Sequence, residues 1–231
     1  VNLDEVKLCA PIVHPRQDVI CLGINYFAHG VEAGHFSEDA FGGERPYTIY
    51  FSKRVNKATA TGENIPAYEG LVDSLDYEVE LGVVLGKDAK DVTKEEALDY
   101  VFGFTVINDV SARNLQTRHK QWYFGKSLDG FAPMGPCIVT ADEIDDVQNL
   151  NISCTVNGEV RQSSNTKLMM QTVAGAIAEL SQGMTLQAGT IIATGTPAGV
   201  GMGMKPPCFL KSGDTIICEV EKIGKLINTV E

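Results

Sequence analysis

The segment Asp76-Tyr-Glu78-Val-Glu80-Leu-Gly82-Val-Val-Leu-Gly86 constrains this chain more than any other stretch. Read as a strand, it sends Glu78 and Glu80 to one face and Tyr77, Val79 and Leu81 to the other. The run Val83-Val84-Leu85 then reads as buried strand. At ~4 Å and an effective dielectric of ~20, each like-charge contact costs about 4 kcal/mol, so two carboxylates beside so apolar a stretch call for a positive partner. A pair of acidic oxygens suits a hard divalent cation. The segment by itself equally fits the solvated outer face of an edge strand.

The surrounding chain is long enough to bury a sizeable core. A formal net charge of −11, with no basic run, argues against nucleic acid as a partner. No apolar run approaches the ~20 residues needed to cross a membrane, and no signal peptide is visible. The cysteines Cys9, Cys21, Cys137, Cys154, Cys208 and Cys218 show no C-x-x-C spacing. They read as reduced, mostly buried thiols of a cytoplasmic protein.

Residues 1–17 read as an extended N-terminal arm, and 18–231 as one domain. Asp18–Gly23 is an apolar strand leading into Ile24–His35, where His29 and Glu32 share one face of a helical turn. Gly30 and Gly34 weaken that helix by about 1 kcal/mol each relative to Ala. This suits a lid that orders on ligand binding, or a surface turn with an incidental histidine. Pro46–Ser52 reads as a strand and Lys53–Pro66 as polar turns. Thr93-Lys-Glu-Glu96 is a capping-box pattern opening a helix to about Tyr100. Val101–Ile107 is a buried strand leading to Asp109, which is either a site residue at a strand end or the N-cap of a helix from Ser111. Lys126, among aromatics and prolines, is poorly placed to be merely solvated. Strands follow from Cys137, with the turn Asn157-Gly158, and Leu168–Gly183 reads as one helix with Met169 and Met170 as core filler. Thr190–Gly201 is a strand running into a glycine-rich loop. That loop lacks the lysine of a P-loop, so its glycines are expected to let the backbone approach a small ligand, with Thr196 as a donor. The tail from Gly213 reads as a closing hairpin.

Taken in order, several motifs resemble those of the fumarylacetoacetate hydrolase family. They are Gly23-Ile-Asn-Tyr26 with His29 and Glu32, Asp76-Tyr-Glu78-Val-Glu80-Leu-Gly82, and Asn108-Asp109-Val-Ser-Ala-Arg113-Asn-Leu-Gln116. Gly125-Lys126-Ser127 with Phe131–Pro136 and Thr194-Gly-Thr196-Pro-Ala-Gly-Val-Gly201 complete the set. The resemblance runs from about Cys21 to the C-terminus. It implies a β-rich α+β fold, a mixed, rolled β-sandwich with few short helices, and a cytoplasmic homodimer. It also implies one Mg²⁺ or Mn²⁺ held by Glu78, Glu80 and Asp109, with Arg113, Gln116, Lys126 and Thr196 around the substrate. His29 and Glu32 would form the acid–base pair of a lid, with Lys126 also in the catalytic set. Two departures from the family pattern stand out: Lys53-Arg54, where many members have Lys-Pro, and the acidic, glycine-rich stretch Ser37–Glu44.

The implied substrate is a small anionic 2-oxo or 2,4-dioxo acid. Its carboxylate and keto oxygen could occupy open positions on the cation, which would hold the enolate left when a bond to C3 breaks. With His29, oriented by Glu32, activating water, the expected reaction is hydrolysis of a C–C bond in an acylpyruvate or fumarylacetoacetate-like compound. The same residues would serve decarboxylation of an oxaloacetate-like acid. They would equally serve isomerisation of a 2-hydroxyhepta-2,4-diene-1,7-dioate-type diacid from aromatic catabolism. A metal-stabilised domain that binds ligand without catalysis is the distant alternative.

Overall fold

The structure, a computed structural model, describes residues 2, 5–43 and 46–231. Strands dominate it. In chain order they are β1 (Val19–Gly23), β2 (Ile49–Lys53), β3 (Asn64–Ile65), β4 (Leu75–Asp76), β5 (Val79–Leu85), β6 (Val101–Asn108), β7 (Ser111–Ala112) and β8 (Met134–Thr140). After these come β9 (Asn151–Val156), β10 (Glu159–Asn165), β11 (Ile191–Ala193), β12 (Thr215–Val220) and β13 (Gly224–Val230). The helices are short: α1 (Phe27–Phe36), α2 (Glu38–Phe41), α3 (Arg113–Arg118), α4 (Tyr123–Lys126) and α5 (Val173–Ser181).

Six strands form a mixed sheet in the order β2-β1-β11-β5-β6-β8, in which only the β1–β11 pair is parallel. A second sheet, β10-β9-β12-β13-β3, packs across it, with β12 and β13 over β6 and β9 over β5. Alternation along β5 explains the layering. Leu81, Val83 and Leu85 face the core between the sheets, where they meet Ile152, Cys154, Ile216 and Cys218. Val84 faces the other way, into a second apolar cluster with Cys21, Ile107 and Met134 that Ala10 of the N-terminal segment helps cover. This is the β-rich, mixed sandwich with few helices that the motifs imply. No described helix is long and apolar enough to cross a membrane.

Several local expectations change. The segment from Asp76 is not one strand: β4 pairs with β7 and β5 with β6, leaving Tyr77 and Glu78 in the break. The strand expected at Pro46–Ser52 starts later and takes in Lys53. The capping box does form, with Thr93 Oγ1 donating to Glu96 at 2.8 Å, but only a 3-10 turn at Ala97–Tyr100 follows because β6 begins at once. The long helix of Leu168–Gly183 shortens to α5, capped by the Thr172 hydroxyl on the Gly175 amide at 3.0 Å and ended near Gly183 at φ +74°. Met169 is buried as expected, whereas Met170 is exposed. Asn157 and Gly158 both adopt positive φ (52° and 80°), as the tight turn between β9 and β10 requires. All six cysteines are free, but only Cys21, Cys154 and Cys218 are buried. Of the acidic stretch, Ser37 caps α2 through an accepted bond from the Ala40 amide, and Glu44 lies outside the described residues.

Because α5 has one side-chain cap, Thr172→Ala should lower stability by about 1 kcal/mol, read as a fall in the urea midpoint at unchanged slope. An unchanged midpoint would show that packing alone fixes the helix start.

Candidate active site

Pairing of β5 with β6 sets Val79 opposite Asn108 and Glu80 opposite Ile107. Just beyond that register, the Asp109 amide donates to Glu78 O at 2.9 Å, and the Glu78 amide donates to Asn108 Oδ1 at 3.0 Å. The strand ends therefore converge, and carboxylate oxygens of Glu78, Glu80 and Asp109 all lie within 4.8 Å of one another, fully buried. The edge-strand reading of Glu-x-Glu falls with that burial. So does the capping reading of Asp109, since α3 starts after Ala112 without a side-chain cap.

Three cations are buried with them. Lys126, from α4, bridges Glu78 Oε2 at 2.8 Å and Asp109 Oδ2 at 2.7 Å. Lys53, at the end of β2, meets Asp109 Oδ1 at 2.7 Å and donates to the carbonyls of Val110 (3.1 Å) and Lys126. Arg113, from α3, reaches Glu78 Oε1 at 2.7 Å and Asp76 Oδ2 at 2.9 Å, and donates to Gln116 Oε1 at 2.9 Å. Asp76, Glu78, Glu80 and Asp109 thus face Lys53, Arg113 and Lys126, which leaves one negative charge in excess. The excess falls at Glu80, whose polar partner is the Gly195 amide at 2.7 Å and which has no ion pair among the described residues.

The titration directions follow. Burial, then the charges of Asp109 and Glu78, push the Glu80 carboxyl well above its ordinary value. Burial would also raise Glu78, but Lys126 and Arg113, with His29 behind them, outweigh it and hold that carboxyl down at about 2. Burial would lower the Lys126 ammonium, yet Asp109 and Glu78 raise it overall. A buried, oxygen-only cluster with one surplus negative charge fits a hard divalent cation.

The segment expected to be a lid or a surface turn packs against this cluster, with its histidine turned inward. Ile24, at φ 55°, turns the chain out of β1 into α1, which buries His29 and Ala33. His29 Nδ1 lies 2.9 Å from Glu32 Oε1. Glu32 also accepts from the Gly199 amide at 3.0 and 3.1 Å, which fastens α1 to the glycine-rich loop. The loop's role differs from expectation. Its amides hold the protein's own carboxylates: Gly195 on Glu80, Gly199 on Glu32, and Gly201 (2.7 Å) and Met202 (3.0 Å) on Asp76. Gly201 has to be glycine because a Cβ would overlap the Cys208 carbonyl oxygen and stand 2.7 Å from Asp76 Oδ1. Thr196, expected as a ligand donor, gives its hydroxyl proton to Val79 O at 2.9 Å and accepts from Gln162 at 2.7 Å.

His29, Glu78, Arg113, Gln116, Lys126 and Thr196 all line one closed cavity of about 20 Å³ under the lid, room for roughly one water molecule. Glu80 and Asp109 sit among the carboxylates behind Glu78, and Glu32 stands behind His29. Every site residue expected from sequence is therefore gathered in one place. Two residues not expected at the site join it. Lys53 lies not in a polar turn but at the end of β2, in alternation with Ile49 and Phe51. Asp76 precedes Glu78 and Glu80 in the same alternation, a spacing that is the available sequence signal for it.

With this geometry the chain matches the family model for the fumarylacetoacetate hydrolase C-terminal domain over residues 18–231. It belongs to that family. Among curated relatives, oxaloacetate tautomerase YisK of Bacillus subtilis is 46% identical over 99% of this chain and 74% of its own length. A fumarylacetoacetate hydrolase of Exiguobacterium antarcticum superimposes with a TM-score of 0.87 at 44% identity, covering 100% of this chain and 80% of that one. Fumarylpyruvate hydrolase of Pseudomonas aeruginosa, solved with Mn²⁺ and pyruvate, superimposes at 0.81 with 30% identity over 94% and 90% of the two chains.

The surplus charge gives a signed expectation. A carboxyl raised on folding lends stability at low pH that is lost as pH rises through its folded value. One depressed on folding, such as Glu78, lends stability that is lost as pH falls. Glu80→Gln should therefore raise the Tm of the metal-free protein by a few degrees at about pH 8, the shift that roughly 1 kcal/mol gives in a chain of this size. The gain should shrink near pH 5, and the variant should lose any stabilisation by Mg²⁺ or Mn²⁺. Calorimetry showing a lower Tm at both pH values would contradict the surplus.

Proposed function

We propose that this protein is a divalent-metal-dependent enzyme that moves a proton at C3 of a small 2-oxo diacid, interconverting the keto and enol forms of an oxaloacetate-like substrate. The observation that carries the reading is the His29–Glu32 pair, whose buried His29 lines the same small cavity as Glu78, Arg113 and Lys126. Proton relocation needs one positioned base and an anion-stabilising wall, and it needs no second reactant in the site. The 46% identity to an oxaloacetate tautomerase supports this choice among the reactions the family motifs allow. We therefore put C–C hydrolysis, the first expectation from sequence, second.

Each residue has a part. Glu32 accepts from His29 Nδ1–H, so the proton sits on that nitrogen and leaves Nε2 free to take the C3 proton. The Gly199 amide fixes Glu32 in turn. As the C3–H bond breaks, its electron pair forms the C2=C3 bond, the carbonyl π pair passes to the keto oxygen, and His29 becomes the imidazolium. Lys126 and Arg113 provide positive potential at that oxygen, which then takes a proton back from the His29 imidazolium to give the enol and restore the base. A cation held by Glu78, Glu80 and Asp109, Mg²⁺ or Mn²⁺, would supply Lewis-acid polarisation of the 2-oxo group. Because the closed cavity is smaller than any such acid, α1 and α2 must swing away for entry and return for the proton transfer.

Hydrolysis of a 2,4-dioxo acid remains a second reading. Its support is the 30% identity to a fumarylpyruvate hydrolase solved with Mn²⁺ and pyruvate.

The test follows enol-to-keto conversion of oxaloacetate by ultraviolet absorbance with Mg²⁺, alongside pyruvate release from oxaloacetate and from acetylpyruvate. His29→Ala should slow tautomerisation by about 10²–10⁴-fold while keeping the stabilisation by Mg²⁺. Pyruvate release from acetylpyruvate without accelerated tautomerisation would overturn the proposal in favour of hydrolysis.

A further inference from the structure

We infer that Trp122 is the specificity-determining residue of the site, a partition that restricts it to compact, short-chain 2-oxo acids. The inference rests on the reading of the site as one for 2-oxo acids, but not on which reaction they undergo.

The cavity is lined by two kinds of side chain: Glu78, Arg113 and Lys126 make its charged part, and Phe41, Phe51 and Trp122 its aromatic part. The charged groups would hold an anionic 2-oxo head, which leaves the aromatic side chains to meet whatever is attached beyond C3. Outside that wall runs an open groove of about 390 Å³, lined by Pro46, Tyr47, Thr48 and Ile49. Ile24, Phe41 and Trp122 border both spaces, and they are all that the two share. The inner cavity alone has no room for a tail. The outer groove is by itself within the size range of an ordinary small-ligand pocket, about 300–1,000 Å³, so opening the partition would give a tail room that the inner cavity lacks.

The indole is the fixed element of the partition. It packs edge-on to Phe51 at 5.3 Å between ring centres and against Phe41 at 5.5 Å. Phe51 itself lies 5.4 Å from the Lys126 ammonium, so the partition is one side chain away from the charged part. Gly23, at the end of β1, makes the seat: a Cβ there would overlap the six-membered ring of Trp122 and stand 3.1 Å from Ile49 Cγ2. Phe41 belongs to α2 and travels with the lid, whereas Trp122 stands just ahead of α4, which carries Lys126.

Two probes compared by equilibrium binding separate size selection from turnover. Oxalate is a short anion, and 2-oxooctanoate is a 2-oxo acid with a long tail. Their dissociation constants are to be measured by calorimetry with Mg²⁺ present, on the wild-type chain, Trp122→Phe, Trp122→Ala and Gly23→Ala. The wild-type chain should favour oxalate. Trp122→Ala should shift the ratio toward 2-oxooctanoate by at least tenfold, Trp122→Phe by less, and Gly23→Ala in the same direction by unseating the indole. A ratio unchanged in all three variants, with both constants weakened alike, would overturn the partition and leave Trp122 a purely structural residue. Binding of neither probe to any of the proteins would overturn the 2-oxo-acid reading, and this inference with it.

Discussion

The structure depends on one electrostatic constraint: three carboxylates forced together in the interior by strand pairing. Register between β5 and β6 leaves Glu78, Glu80 and Asp109 no way to separate, since slipping by one residue would turn Leu81, Val83 and Leu85 out of the inter-sheet core. The cluster survives because cations are delivered to it from three other elements, β2, α3 and α4. Burying charges on this scale is unfavourable unless each is paired, and removing one partner of such a pair typically costs 3–5 kcal/mol. The arrangement is therefore kept for the site it makes, and its stability rests on the apolar layers on either side. The deficit of a single cation at Glu80 is what separates this cluster from a self-sufficient ion network. It leaves a place that suits a divalent ion, and such an ion would change the formal charge of the cluster from −1 to +1.

The lid and the charged cluster share a fastening. The glycine-rich loop gives Gly199 to Glu32, Gly201 and Met202 to Asp76, and Gly195 to Glu80. Asp76 in turn holds Arg113, which holds Glu78. A continuous chain of polar contacts thus runs from the cation site through the loop to His29. On the apolar side, Ala33 and Phe41 from the lid meet Val200 and Met202 of the same loop. One loop therefore sets both the position of Glu32, which holds His29, and the position of Glu80 in the carboxylate cluster. Glycine recurs there because Gly195 and Gly199 adopt positive φ and because backbone atoms of neighbouring segments, such as Arg161 O at Gly199 and Cys208 O at Gly201, leave no room for a Cβ.

Much of this was legible in the residues, and the limits have physical causes. Alternation and turn chemistry located most strands, the tight turn at Asn157-Gly158 and the closing hairpin, because those signals are local. Glu78, Glu80, Asp109, His29 and Glu32 were legible as chemistry because their spacing within one element puts them on one face or at a strand end. Lys53 and Asp76 were not, since their importance comes from partners distant in sequence: Lys53 pairs with Asp109 and Asp76 with Arg113. The glycine-rich loop was misjudged for the same reason. A run of glycines announces that something comes close to the backbone, but not whether it is a ligand or the protein's own carboxylates. Helix lengths were overestimated at Thr93 and Leu168, where a correct start signal is followed by a neighbour that takes over the chain.

The reactions open to this family share their first demand, stabilisation of negative charge on the C2 oxygen of a 2-oxo acid. They diverge in what happens at C3 and beyond. Losing a proton from C3 needs only a base. Breaking a carbon–carbon bond by hydrolysis also needs a water placed at a carbonyl further along the chain, and hence a longer pocket. The closed lid, the single base and the aromatic wall at Trp122 act together to shorten the pocket on that side. On the reading proposed above, the wall at Trp122 would limit the length of acid the site admits. Whether proton transfer, decarboxylation or hydrolysis follows would then turn on what His29 meets at C3 and beyond, which is a separate property of the site.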